Sequence, residues 1–350
     1  CNSNGVPDSC ESATDCDTNG VIDFCETAII YVDASAAGGE TGLDWENAYT
    51  DLQDALLEAD GLCVPVEIWV AAGTYAPAPP GGARSASFAL RDNVAIFGGF
   101  SGTEDVRDQR NPDPLAGATI LTGDLDGGSP VNNSYHVVTA DGAGASAVLD
   151  GFIIRDGNAN GVSPDQSGAG LLIVGGAPTV RNCLFRDNSA VAGAVAATSA
   201  NPTFTDCIWL DNVAQFGGAT WFEGGSNVTL TACGFYGNQA SAGGQGGGLG
   251  ISAGSTVDLT NCVISGNVSA GRGGGLYAQD SSTVTLTNCT LSENAAGSFG
   301  GGIFAFVESQ VLTRNSILWA NIDAGGSDET AQLDFDNATL DYQAQELLKQ

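Results

Sequence analysis

STVDLTNCVISGNVSAGRGGGLYAQDSSTVTLTNCTLSENAAGSFGGGIFA, residues 255–305, is one unit written almost twice. An alternating stretch (STVDLT, STVTLT), a corner (NCVISGN, NCTLSEN) and a glycine cluster ending in an aliphatic residue (GGGL, GGGI) recur in that order. Working outward, the corner reappears as NCLFRDN (182–188), DCIWLDN (206–212), ACGFYGN (232–238) and NSILWAN (315–321). The starts lie 24, 26, 29, 27 and 27 residues apart. Self-similarity at this period is the mark of a solenoid.

The alternation decides which solenoid. The repeated stretches switch apolar and polar residue by residue, are rich in Val, Thr, Ile and Phe, and end in Gly or Asn, so they are strands. The Leu-x-x-Leu-x-Leu frame of leucine-rich repeats is absent, and a helical repeat would not tolerate 50 glycines. Three short strands per turn of about 27 residues predict an all-β chain, a right-handed parallel β-helix. Its turns would stack at about 4.8 Å. Asn188, Asn212, Asn238, Asn267, Asn294 and Asn321 would then form a hydrogen-bonded ladder, and Cys183, Cys207, Cys233, Cys262 and Cys289 a column of free core thiols. Cys63 would be left over from both patterns.

The alternation of GGA or GGG-plus-aliphatic with LFRDN- and FYGN-like segments resembles the repeats of polymorphic outer-membrane proteins. The opening IIYVDASAAGG, DWENAYTDLQDALLEAD and VEIWVAAGTY, within residues 29–75, resembles secreted bacterial β-helix proteins of the pectate-lyase-like superfamily. That resemblance covers residues 28 to about 342 and implies the fold; the superfamily mixes lyases, hydrolases, adhesins and proteins without known activity. It divides the chain into a cap and first turns (28–75), regular repeats (150–321) and a C-terminal turn or assembly segment (322–350). Within the cap, DWENAYTDLQDALLEADG predicts an α-helix capped by Asp44 and Gly61, with Trp45, Ala48, Leu52, Ala55, Leu56 and Ala59 facing the core. Strands near 67–71, 94–100 and 117–122 would build the first turns.

Residues 1–27 are different. DCDTNGVIDFCE (15–26) places Asp15, Asp17, Asn19, the Val21 carbonyl, Asp23 and Glu26 at the oxygen positions of an EF-hand-type loop, with Gly20 at the sharp turn. CNSNGVPDSCE (1–11) repeats it from its third position as a partial site of Asn2, Asn4, Val6, Asp8 and Glu11. The expected ligand is Ca2+. No amphipathic helix flanks either loop, and the pair resembles the calcium repeats of dockerins and thrombospondin type 3 segments. Cys1 with Cys10 and Cys16 with Cys25 would bracket the loops; a Cys10–Cys16 bridge remains open.

Forty-one acidic residues against ten basic ones set the net charge at −31, and residues 1–60 carry 14 acids and no base. This excludes nucleic acid as a partner, since counterion release needs clustered Lys and Arg. No apolar run reaches the roughly 18 residues of a membrane span. The absence of Met and the start inside a motif imply a segment of a longer precursor, and the bracketed cysteines an oxidising, extracellular compartment, secreted or at a bacterial cell surface.

For chemistry, Arg155, Arg181 and Arg186, with Asp156 and Asp187, are the candidate constellation of a β-helix lyase, and Asp124 and Asp126 offer an ion site. Trp209, Trp221, Phe222, Phe235, Tyr236, Tyr277, Phe304, Phe306 and Trp319 offer a sugar-stacking strip, with those at even steps expected in the core. Regular repeats with short glycine turns leave little to build a pocket from. The reading is therefore a non-catalytic, calcium-stabilised surface protein: an adhesin, stalk or fibre subunit. Its partners would be itself, end to end, or a cell-surface glycan or protein. The alternative is a calcium-dependent polysaccharide lyase or glycan-binding module.

Overall fold

A computed structural model describes residues 27–116 and 118–343. The two calcium-loop sets and Cys1, Cys10, Cys16 and Cys25 lie outside them.

The described chain winds as a solenoid of parallel strands. A regular coil carries four strands rather than the expected three, as in Thr203–Thr205, Ile208–Leu210, Val213–Phe216 and Thr220–Glu223. Stacked coils make a first sheet of eleven strands, second and third sheets of nine each, and a short sheet of six that follows the asparagine corner. Register is kept from coil to coil, so Phe185, Trp209 and Phe235 are direct neighbours, with ring centroids 5.4 and 4.6 Å apart.

The seven-residue corner motif has a backbone reason. Its first and sixth residues adopt positive φ: Asn182 and Asp187, Asp206 and Asp211, Asn261 and Gly266, Asn288 and Glu293. These left-handed residues bracket a three-residue strand, and Asn, Asp and Gly tolerate that conformation best. The seventh residue turns its amide inward. Asn238 Nδ2 donates to Trp209 O of the coil behind at 3.0 Å and to Asn267 Oδ1 ahead at 2.9 Å. Its Oδ1 accepts from Asn212 N and Asn212 Nδ2. All six ladder residues are buried at 0–1% exposure, which makes these bonds the only way to satisfy their amides. The ladder ends within the chain: Gln332 Oε1 accepts from Asn321 Nδ2 at 2.9 Å, so a glutamine on the short helix Glu329–Gln332 serves as the last rung.

The glycine triplets are set by backbone contact between coils. A Cβ on Gly248 would stand 2.6 Å from Gly275 O, and one on Gly275 2.7 Å from Gly302 O. No side chain fits there.

The five thiols are free and buried in one core column, as expected. Each sits among apolar side chains, and burial pushes the Cys207 thiol well up. Cys63, by contrast, is disulfide-bonded rather than left over.

The N-terminal helix is shorter than the sequence suggests. It spans Leu52–Asp60, with Asp51 as N-cap accepting from Gln53 N at 2.9 Å and Gly61 closing it. Residues 44–50 are held elsewhere: Asp44 accepts from Asn47 N, while Tyr49 N donates to Tyr31 O and Tyr49 O accepts from Asp33 N. Trp45 leaves the helix face and donates to Glu104 O at 2.9 Å. Leu52, Ala55, Leu56 and Ala59 do enter the core, against Ile30, Val66 and Phe88 of the first coils. Each buried leucine contributes about 1.5–3 kcal/mol and each alanine methyl under about 1 kcal/mol.

Candidate functional site

The repeats are not short everywhere. Between the short strand Ser189–Ala192 and the third-sheet strand Val195–Thr198 only Gly193 and Ala194 intervene; one coil earlier, residues 160–170 fill the same connection. This insertion folds into turns of its own, with Gly161 N bonded to Asp165 O and Asp165 N to Val162 O. It is fastened to the next coil by Val191 N to Gln166 O.

Beside it lies a pocket of about 410 Å³ on the outer face of the third sheet. Thr139 and Asp141 on one strand and their register partners Leu172 and Val174 on the next form its floor. Pro164 and Asp165 form the insertion's wall, and His136 closes one side. Asp141 and Val174 are exposed, whereas His136 is only 6% exposed.

His136 is the unusual group. Its Nδ1 lies 3.1 Å from the Gly168 carbonyl, which only accepts, so Nδ1 carries the proton. Burial lowers its pKa, opposed by the Gly168 bond and by Asp165. In the neutral ring Nε2 is then a lone pair, buried and without a hydrogen-bond partner, 3.5 Å from Asp165 Oδ1. Two acceptors face each other with no donor between them. The Thr139 hydroxyl is already engaged with Ser87 Oγ at 2.8 Å. A ligand that brings hydrogen-bond donors completes this site.

His136, the single histidine of the chain, is not among the residues that the sequence pattern singles out. The available signal was NANGVSPDQSGAG (158–170), which departs from the glycine rhythm of later coils. The expectation that short turns leave little to build a pocket from fails at this insertion.

The predicted lyase residues divide. Arg155 and Arg186 are register neighbours on the second sheet, each beside its own carboxylate, Asp156 at 3.2 Å and Asp187 at 2.6 Å. Arg181 is on the first sheet instead, where it and Arg110 hold the buried Asp150 at 2.7 Å each. Asp124 and Asp126 cap a turn, accepting from Gly127 N and Gly128 N. Among the described residues no group of three or more His, Cys, Asp or Glu is placed to hold a metal.

Trp209, Phe222 and Phe235 are core residues. Trp221, Tyr277 and Phe304 do form an outward row on the third sheet, yet they are 8%, 1% and 2% exposed. Arg272 lies 4.9 Å from the Phe304 centroid, and Phe299 packs beside that ring, so the row is covered rather than open to sugars. Trp319, on the second sheet, is 40% exposed.

Comparison with known families gives one match: residues 132–273 and 169–340 fit the right-handed β-helix region, more than half of the chain. The chain belongs to the right-handed β-helix family. This sets the hand of the solenoid. The β-helix is similar to a solved rhamnogalacturonan lyase at 11% identity and TM-score 0.52, covering 83% of this chain and 74% of that one. It is also similar to the pectate lyase Pel9A at 14% identity and TM-score 0.50, covering 93% and 79%. The pectin methylesterase PemA from Erwinia chrysanthemi aligns at 11% identity and TM-score 0.43, covering 81% and 89%. At these identities the likeness is one of fold. No curated protein matches the sequence. Among the described residues no helix is long and apolar enough to cross a membrane.

Proposed function

We propose that this β-helix is an extracellular polysaccharide-binding protein whose ligand occupies the pocket beside residues 160–170. The observation that carries the reading is the buried, unpartnered Nε2 of His136 in the wall of a pocket of about 410 Å³. Leu172, Val174 and Pro164 suit the C–H face of a pyranose, and His136, Asp165 and Asp141 accept from its hydroxyls. Fold similarity to two solved polysaccharide lyases supports a glycan as the ligand class over a purely passive stalk. A surface role as adhesin or stalk is compatible with it, the β-helix then presenting the site. Ca2+ held by Asp15, Asp17, Asn19, Val21, Asp23 and Glu26 would brace the N-terminal segment. Binding by isothermal titration against a panel of neutral, acidic and amino oligosaccharides tests the reading. His136→Ala should abolish the strongest response; a panel without any response refutes it.

One arrangement favours a second reading, a calcium-dependent lyase. Arg155 and Arg186 stand side by side with Asp156 and Asp187, an array able to engage uronate and cation together. It requires unsaturated, ultraviolet-absorbing products, and their loss in Arg155→Ala.

A further inference from the structure

The charge of the pocket goes further than its shape. Neither Lys nor Arg lines it, while two carboxylates, Asp141 and Asp165, do. His136 adds a third acceptor, its lone pair 3.5 Å from Asp165 Oδ1. Two acceptors so close repel each other until a donor comes between them, and a cationic donor relieves the repulsion best.

We propose that the pocket takes a protonated amino sugar, so that the preferred polymer is a cationic hexosamine chain rather than a polyuronate. This rests on the saccharide reading above and specifies its substrate class. An ammonium nitrogen carries three donors and no acceptor; placed about 2.9 Å from both His136 Nε2 and Asp165 Oδ1, it satisfies the two at once. Asp141 adds a second counter-charge from the sheet. A sugar hydroxyl in the same place supplies one donor and leaves the carboxylate charge uncompensated. An N-acetyl group supplies one donor, no charge and more bulk. A uronate brings a further negative charge into an acidic cavity on a chain of net charge −31, whose field repels it before contact. The solved structures similar in fold include a rhamnogalacturonan lyase and a pectate lyase, so the charge preference runs against what fold similarity alone suggests.

The test is titration of the full chain with glucosamine, N-acetylglucosamine and galacturonate tetramers at pH 6. Runs in low salt and in about 0.5 M salt, where screening acts within roughly 4 Å, separate long-range attraction from contact in the pocket. The glucosamine tetramer should bind about tenfold more tightly than the N-acetylated one, the scale of one charge-assisted hydrogen bond. The galacturonate tetramer should bind most weakly. Asp165→Asn, and separately Asp141→Asn, should narrow the ratio of the first two to within about threefold. Equal binding of the two glucosamine forms, or stronger binding of galacturonate, overturns the charge preference while leaving saccharide binding intact. A preference that survives both substitutions overturns it too, since attraction to the acidic surface at large then explains it. No binding by any of the three overturns this inference and the saccharide reading together.

Discussion

Substituting Asn238 by Ala breaks the ladder at its middle. Four side-chain hydrogen bonds disappear: to Trp209 O (3.0 Å) and Asn267 Oδ1 (2.9 Å), and from Asn212 N (3.1 Å) and Asn212 Nδ2 (2.9 Å). Asn238 and Asn212 are both 0% exposed, so water does not replace what is lost. The backbone N–H of Asn212, one Nδ2 hydrogen of Asn212 and the Trp209 carbonyl all lose a partner. A buried polar group left unpaired costs about 1–3 kcal/mol. The sum, discounted for relaxation, is about 3–6 kcal/mol, a large part of the roughly 5–15 kcal/mol that holds an ordinary domain folded. Because each coil touches only its neighbours, the break should also divide cooperativity between the two halves. Urea denaturation followed by far-ultraviolet circular dichroism should show an earlier and broader transition. Asn238→Asp should cost more at neutral pH than at pH 3, because it sets a carboxylate against Asn267 Oδ1 and Trp209 O. Thr229→Ala, on the exposed face of the first sheet, serves as control at under about 0.5 kcal/mol. A loss below about 1 kcal/mol for Asn238→Ala would show that the ladder is incidental and refute the reasoning.

Four further outcomes follow from the same structure. Asp150→Asn leaves Arg110, whose side chain is 9% exposed, and Arg181 without their shared carboxylate, and should destabilise by about 3 kcal/mol in the same assay. Gly248→Ala drives a methyl to 2.6 Å from Gly275 O and should cost about 2 kcal/mol or more. His136 has a folded pKa below its ordinary 6.5; the unfolded chain therefore binds the proton first, and stability present above about pH 6.5 should decline as pH falls toward the folded value. His136→Phe should flatten that part of the stability profile. Calcium should raise the melting temperature of the whole chain but not of one lacking residues 1–26; a response by the shorter chain would place an ion on the β-helix itself.

The extent to which the sequence can be read varies along the chain with how local the causes are. The ladder asparagines and the cysteine column were legible because parallel in-register stacking repeats the same environment every coil, and identical needs select identical residues. Positive φ at Asn182 and Asp187 leaves an equally direct trace, since few residue types occupy that conformation. The helix start was misjudged because Asp44 and Asp51 are both acceptable caps; Tyr31 decided between them by binding Tyr49 across 18 residues of chain. The division of Arg155 and Arg186 from Arg181 turned on which side of the Asn182 corner each strand falls, a matter of a few residues.

What the sequence by itself determined is the repeating body of the protein: its strand period, its corners, its buried amides and thiols. These are properties of one coil multiplied, and a period is visible in one dimension. Tertiary structure alone decided the pocket. His136 and Asp165 are 29 positions apart, with Asp141 on one coil and Val174 on the next, and nothing in their local sequence marks them as neighbours. They meet because an insertion bends back over the sheet that the repeats build. The unpaired Nε2 is a consequence of burial, which depends on everything packed around it and is written at no single position.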